Sequence, residues 1–304
     1  MKTDFQHRHL LSIGECMVEF APNGAGGYAM NFAGDTFNAA WYARRLLPGG
    51  FEVSYLTAVG RDDISAEMLA FMRDQGIDTS FVARDDERTV GLYVVQLQDG
   101  EPRFTYWRDR SAARRLAHDA AALSGLSAEM VIHFSGITLA ILPPENRQRL
   151  LDSLAAARAA GATISFDTNM RPRLWRGNAE LRYWTMRAAD VADIVLPSFG
   201  EESQAFGDAH PEDTAERYAA AGAATVVVKN GAGPVLAVDG PVRLRLNPVP
   251  AVPVDSTAAG DSFAGAFLAA LMQGKALDNA VRDAMSVAAR VVQSRGALVP
   301  VGVD

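Results

Sequence analysis

The residues best suited to chemistry in this chain of 304 residues lie in Val254-Asp-Ser-Thr-Ala-Ala-Gly-Asp261, which runs straight into the apolar segment 262–272. Small residues ahead of a helical pattern let the backbone N–H groups of Ala259, Gly260 and Asp261 point outward together. With the positive end of the helix dipole they form a site for an anion such as phosphate. Asp261 falls in the first turn and admits two readings: a carboxylate that caps the helix, or a base beside a phosphoryl group in transfer.

Other phosphate and metal motifs are absent. Gly274-Lys275-Ala276 has the wrong spacing and ending for a P-loop, and Gly24-Ala-Gly26-Gly27 sits in a β-rich stretch where a dinucleotide fingerprint would open a helix. His7, His9, His118, His133 and His210 are scattered, with no H-E-x-x-H. His133, on an expected strand, reads more simply as a core histidine than as a catalytic one. Cys16 is the single cysteine and has no internal disulfide partner, so a reducing compartment, the cytoplasm, is expected.

The 29 basic and 36 acidic side chains give a net charge of −7, with 49% apolar residues. That composition describes a globular chain and argues against nucleic acid as partner, since a phosphate-binding surface shows as a basic excess. No apolar run reaches the ~18 residues of a membrane helix, and residues 1–10 lack the layout of a secretory signal.

Elements that alternate must position this chemistry. β-branched runs predict strands at 10–14, 53–59, 130–135, 162–167, 194–196 and 225–229. Helical spacing predicts helices at 37–47, 65–75, 144–160, 213–221, 261–272 and 277–294, with Gly274 as a C-terminal cap. This is an α/β chain with a mainly parallel sheet. Residues 16–30 and 89–107 break the rhythm with alternating strands and Gly/Asp/Pro turns. They predict a small separate sheet, placed to cover a cleft as a lid that excludes water, or else an edge hairpin. No repeat or linker divides the chain, so residues 1–304 form a single domain with its lid at about 15–36 and 88–110.

Asp255-Ser-Thr-Ala-Ala-Gly-Asp261 resembles the C-terminal signature of the ribokinase-like (PfkB) carbohydrate kinases, and Ala33-Gly-Asp-Thr-Phe-Asn38 resembles their N-terminal sugar-binding signature. The segments Gly14-Glu-Cys-Met-Val-Glu19, Gly91-Leu-Tyr93, Tyr106-Trp-Arg108, Ser135-Gly-Ile-Thr-Leu-Ala-Ile-Leu142 and Asp167-Thr-Asn-Met-Arg-Pro-Arg-Leu-Trp175 are similar to the family's 2-keto-3-deoxygluconate kinases. The resemblance covers nearly the whole chain. It implies a three-layer sandwich with a β-sheet lid, and ATP-dependent phosphorylation of the keto acid at its C6 hydroxyl with Mg²⁺.

The resemblance also implies roles. Asp261 becomes the base, with Ala258, Ala259 and Gly260 around the γ-phosphate. Gly34, Asp35 and Asn38 take the sugar; Tyr93 and Tyr106 cover it; Arg108 and Arg171 reach its carboxylate, for which a guanidinium fork is well shaped. Asn169, Ser198, Lys229, Gly231 and Gly233 lie along the nucleotide phosphates and ribose, Glu201 organises Mg²⁺ through water, and Ala288 borders the adenine.

Departures from the family pattern are Ala33, Ser256, Ala258, Ser198 and Pro234. Alanine at 258, where relatives carry glycine, requires a negative φ; a left-handed residue there undermines the expected anion site. Rival readings are a fructokinase, a ribokinase or a 2-keto-3-deoxygalactonate kinase of the same fold, and a non-catalytic sugar- or nucleotide-binding protein. A homo-oligomer is expected, because sheet-like lids pair through exposed edges.

Overall fold

The computed structural model describes residues 7–98 and 101–301. From the N-terminal side, β1 (His9–Ile13) leads to the hairpin β2 (Met17–Pro22) and β3 (Tyr28–Ala33), then to α1 (Asp35–Leu46) and β4 (Glu52–Val59). Next come α2 (Asp63–Asp74), β5 (Val82–Arg84) and a second hairpin, β6 (Leu92–Gln98) and β7 (Glu101–Trp107). The middle of the chain supplies β8 (Met130–Ser135), α3 (Gly136–Ile141), α4 (Pro144–Ala160), β9 (Thr163–Asp167) and α5 (Asn178–Ala189). After β10 (Ile194–Val195), α6 (Phe199–Phe206), α7 (Pro211–Ala220) and β11 (Thr225–Val228) comes the hairpin β12 (Val235–Asp239) and β13 (Val242–Leu246). Two long helices, α8 (Ala259–Met272) and α9 (Leu277–Val291), follow.

Nine strands form the central sheet in the order β13-β12-β11-β10-β9-β8-β1-β4-β5. Pairing is parallel from β5 through to β11 and antiparallel only at β12 and β13. Parallel strands need both faces covered, so they read as unbroken apolar runs; all six residues of β8 are buried. Adjacent residues point to opposite faces, and β1 sorts them: Leu10 joins a core shared with Phe37, Phe267 and Val281, whereas Leu11 and Ile13 join one shared with Leu150, Phe166 and Trp184. Helix, sheet and helix thus make three layers.

A separate four-stranded sheet, β3-β2-β6-β7, takes up the two segments whose alternation departs from the βα rhythm. Its β2–β3 and β6–β7 pairs are antiparallel and β2–β6 is parallel. Register sets Tyr93 opposite Tyr106, and their rings lie 5.6 Å apart.

All six expected strands form within one residue of their expected ends, and the 144–160 helix matches at both ends. Helices α1, α2, α7 and α8 start two residues earlier than periodicity suggests. Their first residues, Asp35, Asp63, Pro211 and Ala259, are set by end effects rather than by the apolar repeat. Gly274 sits at φ 76° just beyond α8 and its N–H reaches Leu271 O at 2.9 Å, as a C-terminal cap requires. Helices α3, α5 and α6 and strands β5, β12 and β13 were not anticipated. In α5, Tyr183-Trp-Thr185 has strand-like preferences that obscure the buried Leu181, Trp184, Thr185 and Ala188 at helical spacing.

Helix α1 packs closely against α8. A Cβ added at Gly265 would lie 2.3 Å from Ala39 O and 3.0 Å from Tyr42 Cβ, so the two backbones touch only because residue 265 has no side chain. Gly265→Ala is expected to force the helices apart and destabilise the fold by about 1–3 kcal/mol, read as a lower denaturant midpoint with an unchanged m-value.

Candidate active site

The C-terminal ends of the parallel strands converge on a cleft of about 440 Å³, the position where open α/β sheets bind ligands. Ser135 ends β8 and Asp167 ends β9, while Ser198 and Lys229 follow β10 and β11 and are bridged to each other. Helix α8 begins at Ala259, which puts Asp261 in its first turn. Ala259 N–H donates to Ser256 O at 3.2 Å and so drops out of the expected anion site. The N–H groups of Gly260 and Asp261 have no carbonyl acceptor among the described residues and face the positive end of the dipole. A Cβ at Gly260 would lie 3.5 Å from Lys229 Nζ, so an ammonium overhangs the same helix start.

Ala258 corrects the sequence expectation of a negative φ: it adopts φ 58° and ψ 12°, the left-handed region. An L-residue there costs roughly 1–2 kcal/mol because its Cβ crowds the next carbonyl. The anion site nevertheless survives, since Ala258 O accepts Ser262 N–H at 2.8 Å and starts the helix regularly. Asn169 also has a positive φ, 24°, in a residue type that tolerates it.

Asp261 Oδ2 accepts from Asn38 Nδ2 at 2.8 Å, a bond across 223 residues of sequence. Burial first, and then repulsion from Asp35 and Asp167, push the Asp261 carboxyl up to about 7, against the pull of the Asn38 bond and Arg171. A carboxylate that takes a proton near neutrality is suited to general-base work. The other two aspartates are held differently. Asp35 Oδ2 accepts from Asn169 Nδ2 at 2.8 Å and from the Ser135 hydroxyl, whereas Asp167 pairs with Lys229 Nζ at 2.7 Å.

At the sugar end, Gly34 is required by close approach: its Cβ would sit 2.1 Å from Glu15 O. Asn38, expected on a sugar hydroxyl, lines the cleft, its Oδ1 accepting Gly34 N–H at 3.3 Å and its Nδ2 donating to Asp261. It therefore fixes the Asp261 carboxyl in place. Tyr93 is buried and donates to Glu19 Oε2, while Tyr106 is half-exposed over the cleft. Arg108 and Arg171 both line the cleft. Each already has a carboxylate: Arg108 pairs with Glu15, and Arg171 Nη1 with Glu201 Oε1 at 2.7 Å. Burial raises the Glu201 carboxyl, opposed first by Arg171, and Glu201 Oε2 also accepts Met170 N–H at 3.0 Å.

The cleft therefore collects Gly34, Asp35, Asn38, Tyr93, Tyr106, Arg108, Asn169, Arg171, Ser198, Glu201, Lys229, Ala258, Ala259, Gly260 and Asp261. Gly231 and Gly233, in the turn after β11, and Ala288, packed against the core from α9, do not line it. Glu15, Met17, Phe104, Ile137, Asp167, Ser256, Thr257 and Ala297 complete the lining; for Glu15 the signal was a charged residue between two apolar strands. His133 is a core histidine: it is buried, lies 3.1 Å from Ser165 Oγ, and burial lowers its pKa to about 4. Among the described residues no group of three or more His, Cys, Asp or Glu side chains converges on a metal position, and no helix is long and apolar enough to cross a membrane.

A three-layer α/β fold with a small β-sheet beside the cleft, where a helix start carries a buried aspartate, is the architecture of a sugar kinase, and the chain belongs to the pfkB family of carbohydrate kinases, whose model it matches over residues 7–301. A protein of Escherichia coli (strain K12) named 2-dehydro-3-deoxygluconokinase is 37% identical over 297 residues, covering 95% of this chain and 96% of its own. One of the same name from Dickeya dadantii is 36% identical over 305 residues, covering 96% and 97%. Among solved structures, the PfkB protein from Polaromonas sp. JS666 superposes with a TM-score of 0.82 at 29% identity, over 95% of this chain and 96% of that one. Aminoimidazole riboside kinase from Salmonella enterica, complexed with aminoimidazole riboside and an ATP analog, superposes with a TM-score of 0.83 at 25% identity over 95% of both chains.

Strain at residue 258 has a direct readout. Ala258→Gly is expected to keep turnover and leave stability equal or higher by up to about 1 kcal/mol. Ala258→Val, a β-branched residue in the same left-handed position, is expected to lower the denaturation midpoint and raise KM for ATP.

Proposed function

We propose that this carbohydrate kinase transfers the γ-phosphoryl group of ATP to the C6 hydroxyl of 2-keto-3-deoxygluconate, giving 2-keto-3-deoxy-6-phosphogluconate and ADP. The observation that carries the reading is the presence of Arg108 and Arg171 in one cleft with Asp261: a neutral sugar has no use for two guanidinium groups, and a sugar acid does. The name shared by the Escherichia coli and Dickeya dadantii relatives supports it.

In this reading Asp261, oriented by Asn38, accepts the hydroxyl proton as the sugar oxygen bonds to phosphorus and the bond to ADP breaks. The Gly260 and Asp261 N–H groups and Lys229 stabilise charge on the transferred group. Asn169 and Ser198 border the phosphates, and the β2-β3-β6-β7 sheet closes the cleft against water. Mg²⁺, when bound with the nucleotide, neutralises charge on the phosphates. The residues fit a metal carried in by phosphate, because the cleft offers Glu201 beside the Lys229–Asp167 pair and no protein-only cage among the described residues.

A second reading, a kinase of a neutral sugar such as fructose, is favoured by the carboxylate partner each arginine already has. A coupled ADP-release assay with MgATP separates them by kcat/KM on 2-keto-3-deoxygluconate, its galactonate epimer, fructose and ribose. The expected outcome is preference for a keto acid, and a preference for fructose or ribose removes both arginines from the sugar site.

Asp261 gives the pH dependence. A base must be ionised to act, and this carboxyl is raised to about 7. kcat/KM is therefore expected to fall about tenfold per pH unit on the acid side of that value. Asp261→Asn is expected to lower kcat by at least about a hundredfold with substrate binding largely kept; near wild-type turnover refutes the base assignment.

A further inference from the structure

Four chain crossings join the small sheet to the central one, and they meet around a single residue, Glu15. Glu15 lies where the chain leaves β1 for β2, and Arg108 lies where it leaves β7. Gly34 follows β3, and its missing Cβ makes room for Glu15 O; Gly91 precedes β6, and a Cβ there would lie 2.8 Å from Glu15 Oε1 and 3.3 Å from Arg108 Cβ. The Glu15 and Arg108 side chains form an ion pair with only 1% and 7% exposure, and both residues border the cleft.

Burying such a pair is costly unless every polar atom is satisfied. Here the satisfaction is incomplete: both Glu15 carboxylate oxygens and Arg108 Nε and Nη2 are buried without a regular hydrogen bond, so charge alone holds the pair, whereas Arg108 Nη1 is not among these buried atoms. A stability role alone leaves this unexplained, since an apolar pair of similar volume holds such a junction at least as well. A guanidinium held by a carboxylate at Nη2 on the border of a cleft is instead suited to a second anion at Nη1, because its planar fork presents five N–H donors in fixed directions. Glu15 fixes which of those directions face the cleft.

We propose that Glu15 is a positioning residue: it anchors Arg108 at the root of the lid so that the remaining edge of the guanidinium receives the carboxylate of an acidic sugar, and it thereby sets the affinity for acidic acceptors. The inference rests on the sugar-acid reading of the cleft. Without Glu15 the guanidinium turns away from this position, and the acidic substrate loses a preformed partner while the nucleotide end, built from α8 and Lys229, is untouched.

The test compares wild type, Glu15→Gln and Glu15→Asp, each checked for folding by circular dichroism and thermal melting. Three quantities are read: KM for 2-keto-3-deoxygluconate, KM for ATP, and the Kd of 2-keto-3-deoxygluconate by calorimetry. Glu15→Gln is expected to raise KM and Kd for the sugar acid at least tenfold, with KM for ATP and kcat within threefold of wild type. Glu15→Asp, which keeps the charge on a shorter arm, is expected to recover part of that loss and stands in if the Gln variant does not fold. A wild type that fails to bind the sugar acid overturns the functional reading, and this proposal with it. Wild-type binding with unchanged affinity in the variants overturns the Glu15 assignment alone, as does an equal loss toward the sugar acid and ATP.

Discussion

Backbone contact between α1 and α8 at Gly265 is the constraint on which the site depends. These helices carry the two motifs, at opposite ends of the chain, whose N-terminal turns must lie side by side for Asn38 to reach Asp261. Moving the helices apart stretches and weakens a hydrogen bond that both fixes the Asp261 carboxyl and opposes its protonation. The three-layer arrangement follows from the same packing, because α1, α8 and α9 together cover one face of the sheet and share its core.

Charge in the cleft is nearly balanced before any ligand arrives. Lys229 is matched by Asp167, Arg171 by Glu201 and Arg108 by Glu15, while Asp35 and Asp261 are held by neutral donors. The uncompensated charge is therefore negative, and its repulsion adds to burial, the larger cause, in raising the Asp261 carboxyl. Each cation that faces the cleft thus already has a carboxylate partner before an anionic ligand arrives.

Much of this was legible in the sequence. The parallel strands stand out because both faces are buried, and the small sheet because its alternation interrupts the βα rhythm. The helix start at Asp261 shows in the small residues that precede an apolar helix, whereas the glycine at 34 shows only through the resemblance of its motif. Long-range partners do not show that way: Asn38 looks like a sugar ligand until α8 is packed beside it, and Glu15 looks like an isolated charge until Gly91 and Arg108 close around it. The left-handed turn at Ala258 was hidden for a different reason, since alanine argues against the conformation that the loop imposes. Helix α5 was readable by periodicity, and its aromatic and β-branched middle concealed it.

The 223 residues between Asn38 and Asp261 also bear on how the enzyme comes into being. Contacts of such sequence separation close late, because the loop entropy must be met before they stabilise anything. On a ribosome, the sheet strands through β11 can pair while α8 and α9 are still to be made, yet the face that α8 covers stays open and the base is absent. A chain halted short of the last two helices thus holds every strand of the central sheet and lacks the helix start that faces the cleft.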